Sequence, residues 1–113
     1  MTSPRVRPRL TLALALAAIV AAAGAMAAPP AKHTVTMEAV RYDPPAVTVR
    51  SGDSVTWVNR DPYPHNVTAK GAFRSREIAA DGKWTYVAAK PGRYDYVCTL
   101  HPGMKGTLVV EAR

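Results

Sequence analysis

Residues 34–113 of this sequence predict an all-β domain, a sandwich or barrel of seven to eight short antiparallel strands. Three observations lead to this fold class. Apolar and polar residues alternate with a period of two in several short segments, the pattern of strands with one buried face. Turn-forming Gly, Pro, Asn and Asp separate these segments every several residues. No stretch of this region has a convincing helical period, and the chain has no internal repeat.

The first predicted strand is 34–40, in which Val35, Met37 and Ala39 alternate with polar residues before Asp43-Pro44-Pro45 ends the segment. Turn-forming residues also bound the later segments, which fixes where each one begins and ends. The other predicted strands are 46–50, 54–59, 66–69, 84–88, 93–98 and 106–112.

Side-chain parity identifies the predicted core. Tyr94, Tyr96 and Cys98 are two residues apart, so they point to one face of their strand, while the charges of Arg93 and Asp95 mark the opposite, solvent face. We therefore expect the cysteine to lie inward, at the end of a strand.

Four further residues are predicted to fill the core. Phe73 and Ile78 come from the segment 72–82, whose pattern is otherwise ambiguous. Trp57 and Trp84 come from predicted strands, where large aromatic side chains usually serve packing.

The first 27 residues predict a secretory signal peptide. Arg5, Arg7 and Arg9 precede the uncharged Leu- and Ala-rich run 10–23, and Ala25-Met26-Ala27 supplies the small residues of a cleavage site. Cleavage there would place the remaining chain in the periplasm.

That chain would comprise a flexible lead-in at 28–33 and the domain at 34–113. The alternative is an uncleaved membrane anchor, because the uncharged run 10–31 exceeds the roughly 20 residues that a spanning helix needs. Both alternatives keep the domain outside the cytoplasm, since the arginines stay inside.

Charge and cysteine content exclude two classes of function. The net charge is +7, and leaving out Arg5, Arg7 and Arg9 leaves 12 Lys and Arg against 8 Asp and Glu, or +4. These cations are scattered, whereas nucleic-acid binding needs a clustered basic surface. The single cysteine allows no internal disulfide, so an immunoglobulin-like adhesion sandwich is also disfavoured.

The segment 98-CTLHPGM-104 concentrates the metal-binding chemistry of the chain. It places Cys98, His101 and Met104 three residues apart, and His65 follows a proline in an upstream loop. Singly, each residue would usually be a packing or surface residue. Together they offer a thiolate, two imidazoles and a thioether, which suit copper better than zinc or the oxygen-seeking cations. His33 has no such neighbours, and we expect it to be an exposed tail residue.

Five segments carry a resemblance to a known family: Tyr42-Asp43-Pro44, 46-AVTVRSGDSVTWVNRD-61, 64-PHNV-67, 91-PGRYDYVCTLHPGM-104 and Lys105-Gly106. They resemble the cupredoxins, the type 1 blue copper proteins. The short Cys-x₂-His-x₂-Met loop is most similar to that of the amicyanins, to which pseudoazurin and plastocyanin are related. The resemblance implies a Greek-key β-sandwich holding one copper ion. The implied ligands are His65, Cys98, His101 and Met104.

The resemblance also implies outer contacts to the metal centre. The backbone amide of Asn66 would donate to the Cys98 sulfur, and its side chain would tie to the loop near Thr99. Two departures from the amicyanin pattern would affect the face on which a redox partner docks. Gly103 replaces a bulky residue, and the long N-terminal extension of the amicyanins is missing.

The expected function is periplasmic electron transfer, in which the protein cycles between Cu(I) and Cu(II). A redox partner, such as a dehydrogenase, reductase or cytochrome, would dock weakly near His101 on an apolar rim of Tyr63, Pro64 and Pro102. The alternative is copper buffering or delivery with the same ligands. An enzyme is not expected, because only His33 remains for a further copper site and no group would orient a Cys98–His101 pair.

Overall fold

The computed structural model describes residues 2–6, 8, 11 and 28–113. The predicted signal peptide lies largely outside the described residues, so it stays a prediction. Among the residues that are described, no helix is both long and apolar enough to cross a membrane.

In the described part of the chain, nine strands form two sheets packed face to face, which confirms the all-β sandwich. One sheet has the order β2-β1-β4-β7, and the other has the order β3-β9-β8-β5-β6. The strands are β1 Lys32–Glu38, β2 Arg41–Asp43, β3 Ala46–Arg50, β4 Ser54–Asn59, β5 Thr68–Ala69, β6 Phe73–Arg74, β7 Lys83–Val87, β8 Gly92–Cys98 and β9 His101–Glu111.

The expectation of purely antiparallel strands is wrong. β1 pairs in parallel with β4, and β3 pairs in parallel with β9. The chain crosses from one sheet to the other between β2 and β3 and returns between β3 and β4, which makes sequence-distant strands parallel neighbours. A period of two places alternate residues on opposite faces in either kind of pair, so the sequence pattern does not distinguish them.

Several strand boundaries also differ from the predictions. β2 and β6 were not expected, and β9 begins at His101 instead of 106. Pro102 can lie within β9 because β3 pairs only with Thr107–Glu111, which leaves the start of β9 without a strand on that side.

The predicted core is largely confirmed. Tyr96, Cys98, Trp57, Phe73 and Ile78 are all buried. The remaining predicted core aromatics, Tyr94 and Trp84, are half-buried and pack against the same cluster.

The last two residues of the predicted lead-in are more ordered than the sequence suggested. β1 begins at Lys32, so Lys32 and His33 lie in a strand and not in a flexible lead-in. His33 is half-buried, and its Nε2 lies 3.0 Å from a carboxylate oxygen of Asp53. The expectation of an exposed tail histidine is therefore wrong, because the parallel pairing with β4 brings this residue beside the β3–β4 turn.

Candidate metal centre

Three of the predicted ligand residues converge at one end of the sandwich. The potential ligand atoms of His65, Cys98 and His101 all lie within 4.8 Å of one another. The Cys98 sulfur lies 3.7 Å from Nδ1 of His65 and 3.8 Å from Nδ1 of His101. Both imidazoles therefore present the same nitrogen to the sulfur.

Backbone pairing positions the three residues. Cys98 ends β8 and His101 begins β9, and the two are paired across a turn of two residues. His65 is held by a bridge to Ile78, in which the Ile78 amide donates to the His65 carbonyl at 2.7 Å and the His65 amide donates back at 3.1 Å. Each side chain thus projects from backbone that is fixed by hydrogen bonds.

Burial differs among the candidate ligands. His65 and Cys98 have no exposed surface, whereas His101 is half-buried. Met104 is buried in β9, three residues beyond His101. The three clustered residues are thus largely enclosed, and among them the His101 ring alone reaches the surface.

Asn66 makes the contacts that the family resemblance implied. Its backbone amide donates to the Cys98 sulfur at 3.4 Å. Its side-chain Nδ2 donates to Thr99 Oγ1 at 2.7 Å, and its side-chain Oδ1 accepts from the Thr99 backbone amide at 3.1 Å. These bonds join the His65 loop to the turn between β8 and β9.

Asp61 is a site residue that the sequence analysis missed. Its carboxylate lies 2.7 Å from Nε2 of His65, and both side chains are buried. The same carboxylate accepts from the backbone amides of Ala39 and Val40 at 2.8 and 2.9 Å. A carboxylate four residues before a predicted histidine ligand is the signal that could have revealed it, because such histidines often donate their second ring nitrogen to a carboxylate.

The Asp61 contact determines the state of the His65 ring. Although burial acts to raise the pKa of Asp61, the hydrogen bonds from Val40, His65 and Ala39 hold that pKa below its usual value. An ionised carboxylate only accepts, so Nε2 of His65 carries the proton. Nδ1 is the ring nitrogen that faces the Cys98 sulfur.

Two tyrosines complete the surroundings of the site. The Tyr63 ring lies 5.4 Å from the His65 ring and 5.6 Å from the His101 ring, and this residue is 39% exposed. The buried Tyr42 hydroxyl donates to the Asn66 carbonyl at 2.6 Å, and burial raises its pKa. Tyr63 thus covers the histidine pair, while Tyr42 supports the Asn66 backbone from inside.

The donor chemistry of this group fits copper. It combines two imidazole nitrogens with a buried sulfur, and the clustered ligand atoms include no carboxylate oxygen. Soft sulfur and imidazole donors favour copper over magnesium or calcium, which require oxygen.

Comparisons with known proteins agree with this chemistry. A family model described as a cupredoxin-like domain matches residues 10–110. Amicyanin-alpha of Methylorubrum extorquens is 37% identical over 116 residues, which cover 90% of this chain and 98% of that protein. Amicyanin of Paracoccus versutus is 39% identical over 83 residues, or 68% of this chain, and this chain spans only 63% of its length.

More distant relatives and solved structures point the same way. A plastocyanin of Synechococcus sp. is 36% identical over 86 residues, covering 62% of this chain and 63% of that protein. The solved Cu(I) form of an amicyanin mutant superposes with a TM-score of 0.68 at 32% identity, covering 75% of this chain and 85% of that one.

Proposed function

This chain belongs to the cupredoxin-like family, and from that premise we propose that it is a type 1 copper protein that carries single electrons between redox partners. The observation that carries the proposal is the convergence of two imidazole Nδ1 atoms on one buried sulfur. A bound copper ion would supply a one-electron couple between Cu(I) and Cu(II).

The protein's own residues would keep this centre rigid. His65, Cys98 and His101 serve as the strong ligands, and Met104 serves as the weak fourth ligand expected of such sites. Asp61 orients His65, and Asn66 holds the sulfur and the turn at Thr99. A ligand set fixed by hydrogen-bonded backbone changes little when the charge of its metal changes, which favours fast electron transfer.

Electrons would pass through the His101 edge, because the other candidate ligands are buried. Exposed apolar residues surround this edge, with Tyr63 39% and Leu100 44% exposed and with Pro64 and Pro102 also at the surface. We propose that a dehydrogenase, reductase or cytochrome docks here through a small and transient interface. The scattered cations would steer an acidic partner.

We further propose that the protein works in the periplasm after cleavage behind Ala27. The Arg-rich start and the uncharged run that follows support export. An uncleaved anchor would place the same domain on the same side of the membrane.

Loading the purified protein with Cu(II) tests the proposed centre. We expect an intense blue colour from the sulfur–copper bond, and we expect ascorbate to bleach it. Cys98→Ser should abolish the colour, whereas His33→Ala, which removes the one histidine outside the cluster, should keep it. A colourless wild-type protein, or a blue Cys98→Ser variant, would contradict the proposal.

Copper delivery is the competing function for the same ligands. The complete burial of His65 and Cys98 supports a carrier, because an acceptor would reach only His101. We therefore expect transfer of Cu(I) to a competing chelator to take much longer than reduction by ascorbate. Rapid transfer would favour delivery.

A further inference from the structure

We propose that a chain of aromatic rings forms a second electron route, which carries oxidising equivalents from Trp84 at the edge of the sandwich to Cu(I) at Cys98. The protein would then quench one-electron oxidants that strike this edge. This inference rests on the proposed function, since Cu(I) is the electron donor.

The rings form a continuous series through the core. Trp84 and Trp57 are directly paired across β7 and β4, with ring centroids 5.6 Å apart. Trp57 lies 5.5 Å from Tyr96, and Tyr96 lies 4.7 Å from Tyr42. Neighbouring rings are in contact at each step, so electron transfer from the edge to the interior does not have to cross a region without aromatic rings.

The inner end of this series reaches the metal-binding sulfur. Tyr96 precedes Cys98 by two residues on the buried face of β8. Tyr42 provides a second connection, because its hydroxyl donates to the Asn66 carbonyl at 2.6 Å and the Asn66 amide donates to the Cys98 sulfur at 3.4 Å. The aromatic series is thus coupled to Cys98 both along the strand and through hydrogen bonds.

The outer end lies on a strand that contributes no candidate ligand. Among the strands that the structure describes, β7 is an edge strand that pairs only with β4. Trp84 is half-buried there and stacks on Tyr86 at 5.9 Å with an interplanar angle of 14°. An oxidant at this edge therefore meets an indole ring without approaching His101.

The local environment decides which rings carry charge. Among the described residues, neither Nε1 of Trp57 nor the Tyr96 hydroxyl has a hydrogen-bond partner. An indole can lose an electron and keep its proton, so Trp57 is suited to hold the positive charge briefly. A tyrosine releases its proton when it is oxidised, and Tyr96 has no acceptor for it, so Tyr96 acts as a bridging ring.

The relative oxidising strengths of the groups determine the direction of electron transfer. An external radical removes one electron from Trp84 and leaves an indole cation radical. Trp57 would return one electron to Trp84, and a bound Cu(I) ion would supply one electron to Trp57, which leaves the oxidising equivalent at the metal site. An indole radical is a far stronger oxidant than a reversible copper carrier, so the transfer runs toward copper. No covalent bond changes, and both indoles are restored.

Pulse radiolysis of the Cu(I) protein tests the route, with the dibromide radical anion as the one-electron oxidant. We expect the indole radical signal to decay as the blue band of Cu(II) rises, with a rate independent of protein concentration. Trp84→Phe and Trp57→Phe should each reduce this first-order phase at least tenfold. Tyr96→Phe keeps the bridging ring and should leave the rate within twofold, as should the control Tyr94→Phe, whose half-buried ring lies on β8 outside the series.

Two controls separate the possible failures. In the metal-free protein the indole radical should persist, and ferricyanide should turn every Cu(I) variant blue. Two results would overturn the inference, provided that ferricyanide still produces the blue colour. One is an indole radical that decays equally slowly with and without Cu(I), and the other is a wild-type rate in both tryptophan variants. Failure of the blue colour with ferricyanide would overturn the proposed function as well.

Discussion

The orientation of His65 depends on a single carboxylate. Asp61 accepts hydrogen bonds from the His65 ring and from the backbone amides of Ala39 and Val40. In Asp61→Asn an amide group replaces one acceptor oxygen, so a buried donor loses its partner, at a cost of about 1–3 kcal/mol. We expect the unfolding free energy of the metal-free protein to fall by that amount in urea titrations. Copper affinity should fall about 10- to 100-fold, since the ligand loses its outer support.

Asp43→Asn is the matched control for Asp61→Asn, because the Asp43 carboxylate is exposed and lies on β2, the strand paired with β1. It should change neither unfolding free energy nor copper affinity measurably. Equal behaviour of the Asp43 and Asp61 variants would show that the carboxylate does not position His65.

At the scale of elements, β8 and β9 require a glycine where they cross the aromatic core. A Cβ atom at Gly106 would lie under 3.0 Å from three atoms of the Tyr96 side chain, whose ring packs against Tyr42 and Trp57. We expect Gly106→Ala to lower the unfolding free energy by about 1–3 kcal/mol, as overpacking does in other cores. Gly103→Ala in the same strand meets nothing within 4 Å and should be nearly neutral in the same urea titration. Equal losses in the two variants would contradict the steric argument.

The β3–β4 turn holds the two ends of the domain. The Asp53 carboxylate accepts from the Ala31 and Arg50 amides at 2.8 and 3.0 Å and pairs with His33 and Arg113. The hydrogen bond from the Arg50 amide, followed by those from His33 and Ala31, holds the pKa of Asp53 below its ordinary value of 3.8. A carboxyl group with a lowered folded-state pKa stabilises the fold above its unfolded pKa and loses this contribution as the pH falls.

We therefore expect the unfolding free energy of the metal-free protein to decrease as the pH is lowered from about 5 to about 1. Asp53→Asn should make this decrease smaller, and Asp61 should account for part of what remains, because its pKa is also lowered. The exposed Asp81→Asn variant should follow the wild-type curve. An unchanged pH dependence in Asp53→Asn would exclude this carboxylate as its source.

Local sequence patterns predicted most of the strands and the part of the site that lies in residues 98–104. Alternation identified most strands and the inward direction of Cys98, because both depend on residues adjacent in sequence. The pattern gave no information on parallel pairing, which depends on how the chain crosses between sheets. The contacts of Asp61 with Ala39 and Val40 span more than twenty residues, as does that of Asp53 with Ala31, and no local period encodes them.

At the scale of the whole molecule, the proposed docking surface around His101 would control how two molecules exchange an electron. Electron self-exchange between Cu(I) and Cu(II) copies would require both to present this surface, so a charge on it would meet a like charge on the other copy. We expect Leu100→Glu to slow self-exchange at least tenfold at low ionic strength, measured by NMR line broadening in mixed samples. Added salt should restore part of the rate by screening the repulsion. Val87→Glu introduces the same charge at a residue on β7 that is 58% exposed, and it should retain the wild-type rate. Equal slowing of self-exchange by both variants would show that net charge, and not this surface, governs the encounter.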